Sequence, residues 1–219
     1  MNIGVATAVW GNYSQYLPDW LASLTNQQEK PDVVTIVDCG ADDIGIIRYL
    51  RESLPFPLQI IESDYNGFGH ARNAAIEATH TEWVMHLDAD DILLPNAIAD
   101  AAELEPKADV VCLGAIIDGV SRTFDKVSAK RILAGYQGSM SPSPYRRELW
   151  EQRPYITNND YVESALWVGF AHLGARFVPT ARAGFVYRQH LDSHSKTLPK
   201  ADKMEAIEQW KRLRTKWEK

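Results

Sequence analysis

Two aspartates two residues apart, Asp88 and Asp90, follow the short apolar run Trp83–Leu87, and Asp91 comes directly after them. At a strand end, a spacing of two points both side chains to one side, where they can share one cation or its water shell. Paired carboxylates select a hard divalent ion, Mn2+ or Mg2+. Such an ion, bound also by phosphate oxygens, neutralises a diphosphate and stabilises it as a leaving group, as cleavage of a nucleotide-sugar bond requires. The alternative, that these acids cap the next helix, fits less well. Pro95 suits a first helical turn and places that helix several residues downstream, over Pro95–Glu103.

The elements that must carry these acids are legible around them. Four short apolar segments, Ile3–Val9, Val33–Val37, Leu58–Ile61 and Trp83–Leu87, read as strands and alternate with helix-like stretches at Tyr13–Gln27, Asp43–Leu50 and His70–Ala78. In the first of these helices Tyr16, Leu17, Trp20, Leu21 and Leu24 share one face. This alternation predicts an α/β fold with a mostly parallel, mixed sheet flanked by helices. Ligands of such sheets bind beyond the carboxyl ends of the strands. Asn12 and its neighbours, Asp38 and Asp88–Asp91 all fall there.

The pattern changes in the second half. Val110–Ile117 and Val120–Phe124 flank Asp118-Gly119, a hairpin dipeptide, and predict an antiparallel addition to the sheet. Lys126–Ser143 reads as a loop, with helices following near Tyr145–Glu151 and Tyr161–Leu173. From Ala201, Met204, Ile207, Trp210, Leu213 and Trp217 recur at helical spacing. Seven Lys/Arg stand against four Asp/Glu from Pro199 onward. The favoured reading of this amphipathic helix is a cap on the core, and peripheral contact with a membrane or partner is the alternative.

With 219 residues, 45% hydrophobic and 24% charged, the chain has ordinary globular composition. A net charge of −6 and a pI near 5.5 give no general attraction to nucleic acid or anionic membrane. Cys39 and Cys112 lie in apolar segments without metal-ligand spacing and read as reduced core residues, which fits a cytoplasmic setting. No stretch has the length of a membrane span, and the N-terminus does not read as a signal peptide.

Several segments, in order, resemble the family 2 inverting glycosyltransferases of the A-type (nucleotide-diphospho-sugar transferase) fold. Trp83-Val84-Met85-His86-Leu87-Asp88-Ala89-Asp90-Asp91 is similar to that family's strand and metal-binding aspartates. Val34-Thr35-Ile36-Val37-Asp38-Cys39-Gly40 resembles its nucleoside-holding strand, with Cys39 in place of a second acid. Asn66-Gly67-Phe68-Gly69-His70-Ala71-Arg72-Asn73 resembles its Asn-Gly segment ending in Ala-Arg-Asn. Leu166-Trp167-Val168-Gly169-Phe170-Ala171-His172-Leu173-Gly174 resembles the helix after its catalytic acid, and Val186-Tyr187-Arg188-Gln189-His190 its Tyr-Arg-x-His segment.

The resemblance implies a metal-dependent, inverting transfer from a nucleoside-diphosphate sugar to an acceptor hydroxyl. It implies Thr7, Asp38, Arg72, Asp88 and Arg188 at the donor, and Asp88, Asp90 and His190 at the metal. Glu163 is the implied general base, with Asp160 as its competitor. A guanidinium at a helix start, beside free backbone N–H groups, suits a diphosphate. His86, inside an apolar strand, reads as a satisfied core histidine.

The implied organisation is one transferase domain over residues 1–198, with a nucleotide-binding half to about 105, an acceptor half beyond it, and a terminal helix over 199–219. The acceptor is left open among glycan, protein, lipid headgroup and modified nucleic acid. Two rival functions are a silent nucleotide-sugar binding or scaffolding protein, and a sugar nucleotidyltransferase. The second would carry a Gly-rich basic loop after the first strand, whereas Thr7–Tyr13 has no Lys or Arg.

Overall fold

The computed structural model describes residues 1–64, 67–136, 141–157, 162–190 and 199–217. Short runs of mostly apolar residues form four parallel strands: β1 (Ile3–Gly11), β2 (Val33–Ala41), β3 (Leu58–Glu62) and β4 (Trp83–His86). They lie in the order β3-β2-β1-β4, so the winding reverses between β1 and β4. The register pairs Ala6 with His86, Thr7 with Ile36 and Asp38 with Glu62.

Beyond β4 the sheet becomes mixed. The two-residue strand β8 (Tyr145–Arg146) runs antiparallel to both β4 and β6 (Val110–Ile117), and β6 runs parallel to β9 (Phe177–Val186). Because two reversals cancel, β6 and β9 point the same way as β4. The exit of β9 therefore reaches the same sheet edge as the exits of β1 and β4. At the far side, β5 (Ile92–Leu93) pairs antiparallel with β9, Ile92 opposite Val186.

Helices cover both faces. On one, α1 (Leu17–Thr25) and α4 (Ala97–Leu104), the latter along β6 and β9, bury Leu17, Trp20, Leu21, Leu24, Ala97 and Ile98 in one core with residues of β1, β2 and β4. The Trp20 indole N–H donates to the Leu87 carbonyl at 3.2 Å, which ties α1 to the chain just past β4. On the other face lie α3 (Phe68–Ala78) and α7 (Val162–His172), separated in sequence by α5 (Ala129–Leu133) and α6 (Arg147–Gln152). The short α2 (Gly45–Leu50) follows β2.

The terminal helix, α8 (Lys200–Thr215), lies against α7 and α5. It buries Ala206 and Leu213 and sets Trp217 over Gly169, while Met204 stays 55% exposed. The His172 Nε2 lies 2.8 Å from the Leu213 carbonyl.

Several boundaries differ from the sequence reading. The first helix begins in earnest at Leu17, after a 3-10 turn over Asn12–Tyr16, because Pro18 favours an opening turn there. Pro95 lies before α4, which starts at Ala97. The stretch read as a loop contains α5, opened by Ser128, whose hydroxyl accepts from the Arg131 N–H at 3.3 Å. The Asp118-Gly119 hairpin is present between β6 and β7 (Val120–Arg122), with both turn residues at positive φ, 52° and 75°. Strands β5, β8 and β9 have no counterpart in the sequence reading.

One close approach fixes the opening turn of α3. A Cβ on Gly69 would lie 2.0 Å from the Ile156 carbonyl oxygen, so this turn rests directly on the 156–157 backbone. Gly69→Ala is expected to cost about 1–3 kcal/mol of stability through overpacking, as read by urea unfolding. Unchanged stability would show that the 156–157 segment yields freely.

Candidate active site

The edge where the winding reverses gathers side chains from α3, β4, α7 and the segment after β9. Strand β4 stops at His86, and Asp88 to Asp91 form a turn in which the Asp91 N–H donates to the Asp88 carbonyl at 3.0 Å. The period-two geometry expected of Asp88 and Asp90 therefore does not apply. The two carboxylates take different partners.

Asp88 accepts from Arg72 Nη2 at 2.8 Å, and the same nitrogen lies 2.5 Å from Glu163 Oε1. Arg72 stands in the second turn of α3 rather than at its start, 7% exposed, with its guanidinium carbon 5.6 Å from the Phe68 ring centre and 5.9 Å from that of Tyr155. Burial disfavours its charge, but Asp88 and Glu163 outweigh this and hold Arg72 above its ordinary value. Burial likewise pushes Asp88 up, yet the charge of Arg72 prevails and leaves the carboxyl below the usual range. Beneath them, His86 is 2% exposed. Burial and the neighbouring Arg72 lower its pKa to about 3, so the imidazole is neutral.

Asp90 reaches the other way, its Oδ2 2.9 Å from His190 Nε2. The His190 ring sits among Tyr13 and Tyr16, with centres 5.6 Å and 5.4 Å away. Asp91 is 2% exposed and accepts from the Arg188 backbone N–H at 2.9 Å, so it ties the end of β9 to the acidic turn. Burial and the charge of Asp88 raise Asp90. Burial and the charges of Asp88 and Asp90 raise Asp91 well above the ordinary range.

The predicted residues thus divide. Arg72, Asp88 and Glu163 come together, as do Asp90 and His190. The Arg188 side chain turns away from the acids, to Asp19 at 3.0 Å and over the Tyr16 ring at 4.9 Å. Thr7 is fully buried in mid-β1, and its hydroxyl meets no hydrogen-bond partner among the described residues. Asp38 ends up at the rim of an open cavity of about 560 Å3, lined also by Gly40, Ala41, Glu62, Ser63 and Asp64. Its Oδ1 accepts from the Gly40 and Ala41 N–H groups at 3.1 and 2.9 Å. Cys39 is free and buried, and burial raises its thiol. Asp160 lies outside the described residues.

Three residues that sequence reasoning left without a role also build the site. Asn73 exchanges hydrogen bonds with the Tyr155 backbone at 2.9 and 3.0 Å and accepts from the Trp150 indole at 2.8 Å. That places the Tyr155 ring beside Arg72 and leads the chain toward α7. Asp91 and His86 are the others. The signal of His86 in the sequence was polarity inside an apolar strand, and that of Asp91 was its place directly after Asp88 and Asp90.

Comparison with known proteins decides the family. The profile described as Glycosyl transferase family 2 matches residues 9–167. The chain belongs to glycosyl transferase family 2. An uncharacterized glycosyltransferase of Nostoc is 33% identical over 124 residues, covering 54% of this chain and 38% of that protein. The poly(ribitol-phosphate) beta-N-acetylglucosaminyltransferase TarS of Staphylococcus aureus is 28% identical over 130 residues, covering 55% and 23%. The chain therefore spans well under half the length of these two relatives.

Among solved structures, TarS 1–349 with UDP-GlcNAc superposes with a TM-score of 0.73 at 22% identity, over 91% of this chain and 62% of that one. The mannosyltransferase PcManGT of Pyrobaculum calidifontis, with GDP-Man and Mn2+, gives 0.68 at 19%, over 88% and 58%. The A-type fold anticipated from sequence is the fold of this chain.

The raised Asp91 yields a pH signature. An acid raised in the folded state contributes stability that is fully present below its ordinary 3.8 and is lost as pH rises through the folded value. Asp91→Asn keeps an acceptor for the Arg188 N–H without the charge. Urea unfolding across pH 3–7 is expected to show the variant losing less stability toward neutral pH than the parent, and parallel curves would contradict the raised value.

Proposed function

We propose that the chain transfers a sugar, with inversion, from a nucleoside-diphosphate sugar to an acceptor hydroxyl. The observation that carries this reading is the single Arg72 nitrogen shared by Asp88 and Glu163. It joins a cation suited to a diphosphate with a carboxylate suited to take a proton. The two groups pair with each other here, and a sugar whose anomeric carbon reacts would enter between them. The complexes named for the structural relatives, UDP-GlcNAc on one and GDP-Man with Mn2+ on the other, support a nucleotide-sugar donor here.

In this reading Asp38 and the cavity beyond β2 and β3 receive the nucleoside, and Arg72 meets the diphosphate. Glu163 accepts the proton of the acceptor hydroxyl as that oxygen bonds to the anomeric carbon. The bond from that carbon to the diphosphate oxygen breaks on the opposite face, and its electron pair leaves with the diphosphate. Arg72 offsets the charge that develops there.

Among the described residues no group of three or more His, Cys, Asp or Glu side chains is arranged as a metal cage. The donor set nevertheless fits a divalent ion completed by substrate oxygens. Asp88 and Asp90 crowd one turn closely enough for the charge of Asp88 to raise Asp90, a repulsion that a cation relieves, and His190 adds an imidazole beside Asp90. Asp88, Asp90 and His190 would hold it, and when bound it supplies further neutralisation of the departing diphosphate.

No described helix is long and apolar enough to cross a membrane. Free, buried Cys39 and Cys112 support a reducing, cytoplasmic setting.

Incubation with UDP- and GDP-sugars and Mn2+ is expected to release nucleoside diphosphate. Pyrophosphate formed from a nucleoside triphosphate and a sugar phosphate would instead favour a nucleotidyltransferase. Asp90→Ala is expected to abolish metal-dependent donor binding in calorimetry. Glu163→Gln is expected to keep donor binding and lower turnover by about 10²–10⁴-fold. Normal turnover by Glu163→Gln would move the base to Asp160, and failure of the parent to bind any nucleotide-sugar, with or without manganese, would sink the reading.

A further inference from the structure

His86 occupies the last position of β4, in an apolar strand where Val84, Met85 and Leu87 are fully buried. Its Nδ1 lies 3.4 Å from Arg72 Nε and 3.4 Å from Asp88 Oδ1. A guanidinium has five N–H donors and no acceptor, so in this contact Nδ1 accepts and the ring proton belongs on Nε2. That second nitrogen finds no hydrogen-bond partner among the described residues, and the ring meets Tyr155 edge-on at 6.3 Å. Burying an imidazole with one nitrogen unpaired is costly, and an aliphatic side chain would fill the position without that cost. The compensating contact, with the Arg72 Nε–H, lies on the Nδ1 side.

We propose that His86 is a positioning residue that sets the orientation of the Arg72 guanidinium within its plane so that one terminal nitrogen serves both Asp88 and Glu163. The fork is planar, and its orientation is set by rotation about the bonds leading to Nε. Phe68 and Tyr155 flank the guanidinium faces, and Asp88 and Glu163 hold one terminal nitrogen, which leaves the fork able to pivot about that nitrogen within its plane. An acceptor behind Nε removes that freedom. Asp88 alone does not replace it, because its carboxylate binds the far end of the fork. His86 thereby acts on the geometry of transfer through Arg72 without touching substrate.

The inference rests on the proposed transferase reading for its kinetic consequence, but its geometric core is testable without activity. In protein labelled with 15N-arginine, the Nε–H resonance that disappears in Arg72→Lys identifies Arg72. It is expected to be protected from exchange in the parent and in His86→Asn, whose side-chain oxygen falls near the position of Nδ1, and to lose protection in His86→Leu. With matched thermal stability, His86→Leu is expected to lower kcat by about 10–100-fold, with donor KM changed less than about twofold.

His86→Asn is expected to restore most of that loss, and His86→Leu is expected to add little in an Arg72→Lys background. Should the leucine variant not fold, His86→Gln, whose acceptor sits one bond too far, takes its place against His86→Asn. A protected Arg72 resonance in His86→Leu, or kinetic effects of the two substitutions that simply add, would overturn the proposal. Absence of any transfer by the parent chain would defeat the transferase reading alone, since the resonance still decides the role of His86.

Discussion

A guanidinium withdrawn from water keeps its charge, and Asp88 and Glu163 offset the cost of burying that of Arg72. The two acids come from elements 75 residues apart, the turn after β4 and the first turn of α7, and neither is placed by local sequence preference. Placing them requires α3 to run down one face of the sheet with its opening turn on the 156–157 backbone. Asn73 supplies the complementary constraint by holding the Tyr155 main chain at both its N–H and its carbonyl. An Ala-Arg-Asn segment is thus one device: the arginine draws the acids together, and the asparagine fixes the strand of chain that delivers one of them.

The second half of the site depends on pairing rather than on charge. β9 runs parallel to β6, and the short β5 pairs antiparallel with its end, so the acidic turn and the Tyr187–His190 segment leave the sheet side by side. Asp91 closes the join by accepting from the Arg188 N–H. A contact between Asp90 and His190, 100 residues apart, then follows from register. Two residues of β5 suffice because the partner strand is long and the pairing places them directly after the acids.

What the sequence revealed follows from which signals are local. The parallel half of the sheet was readable because strands buried on both faces appear as apolar runs, and the Asp118-Gly119 turn announced its hairpin. β9 was missed because Pro179, Thr180, Arg182 and Gly184 break its pattern, though pairing with β6 tolerates them at a register shift. The candidate site residues came from motif order, but their partners did not. Spacing suggested that Asp88 and Asp90 act as one pair, whereas the chain turns between them and gives one to a cation and the other to an imidazole. Arg188 was implied at the donor by the Tyr-Arg-x-His resemblance, yet its backbone N–H carries the contact to the acidic turn and its side chain braces Asp19.

Three carboxylates in one four-residue turn, with Asp90 and Asp91 raised by burial and mutual repulsion, are a poor way to stabilise a fold. A turn built for stability alone would replace Asp91 with asparagine, which offers the same acceptor to Arg188 without the charge. Retaining the acid keeps a titratable carboxyl at the sheet edge, across from the buried Arg72 guanidinium of α3. The balance is local and incomplete: Asp88 is compensated and lies below its ordinary range, while its two neighbours are not and lie above theirs. Acids of raised pKa and a buried guanidinium thus stand side by side at one edge of the sheet. The cost in folding free energy falls on a turn that the Trp20–Leu87 bond, the β5–β9 pairing and the Arg188 tether already hold from three sides.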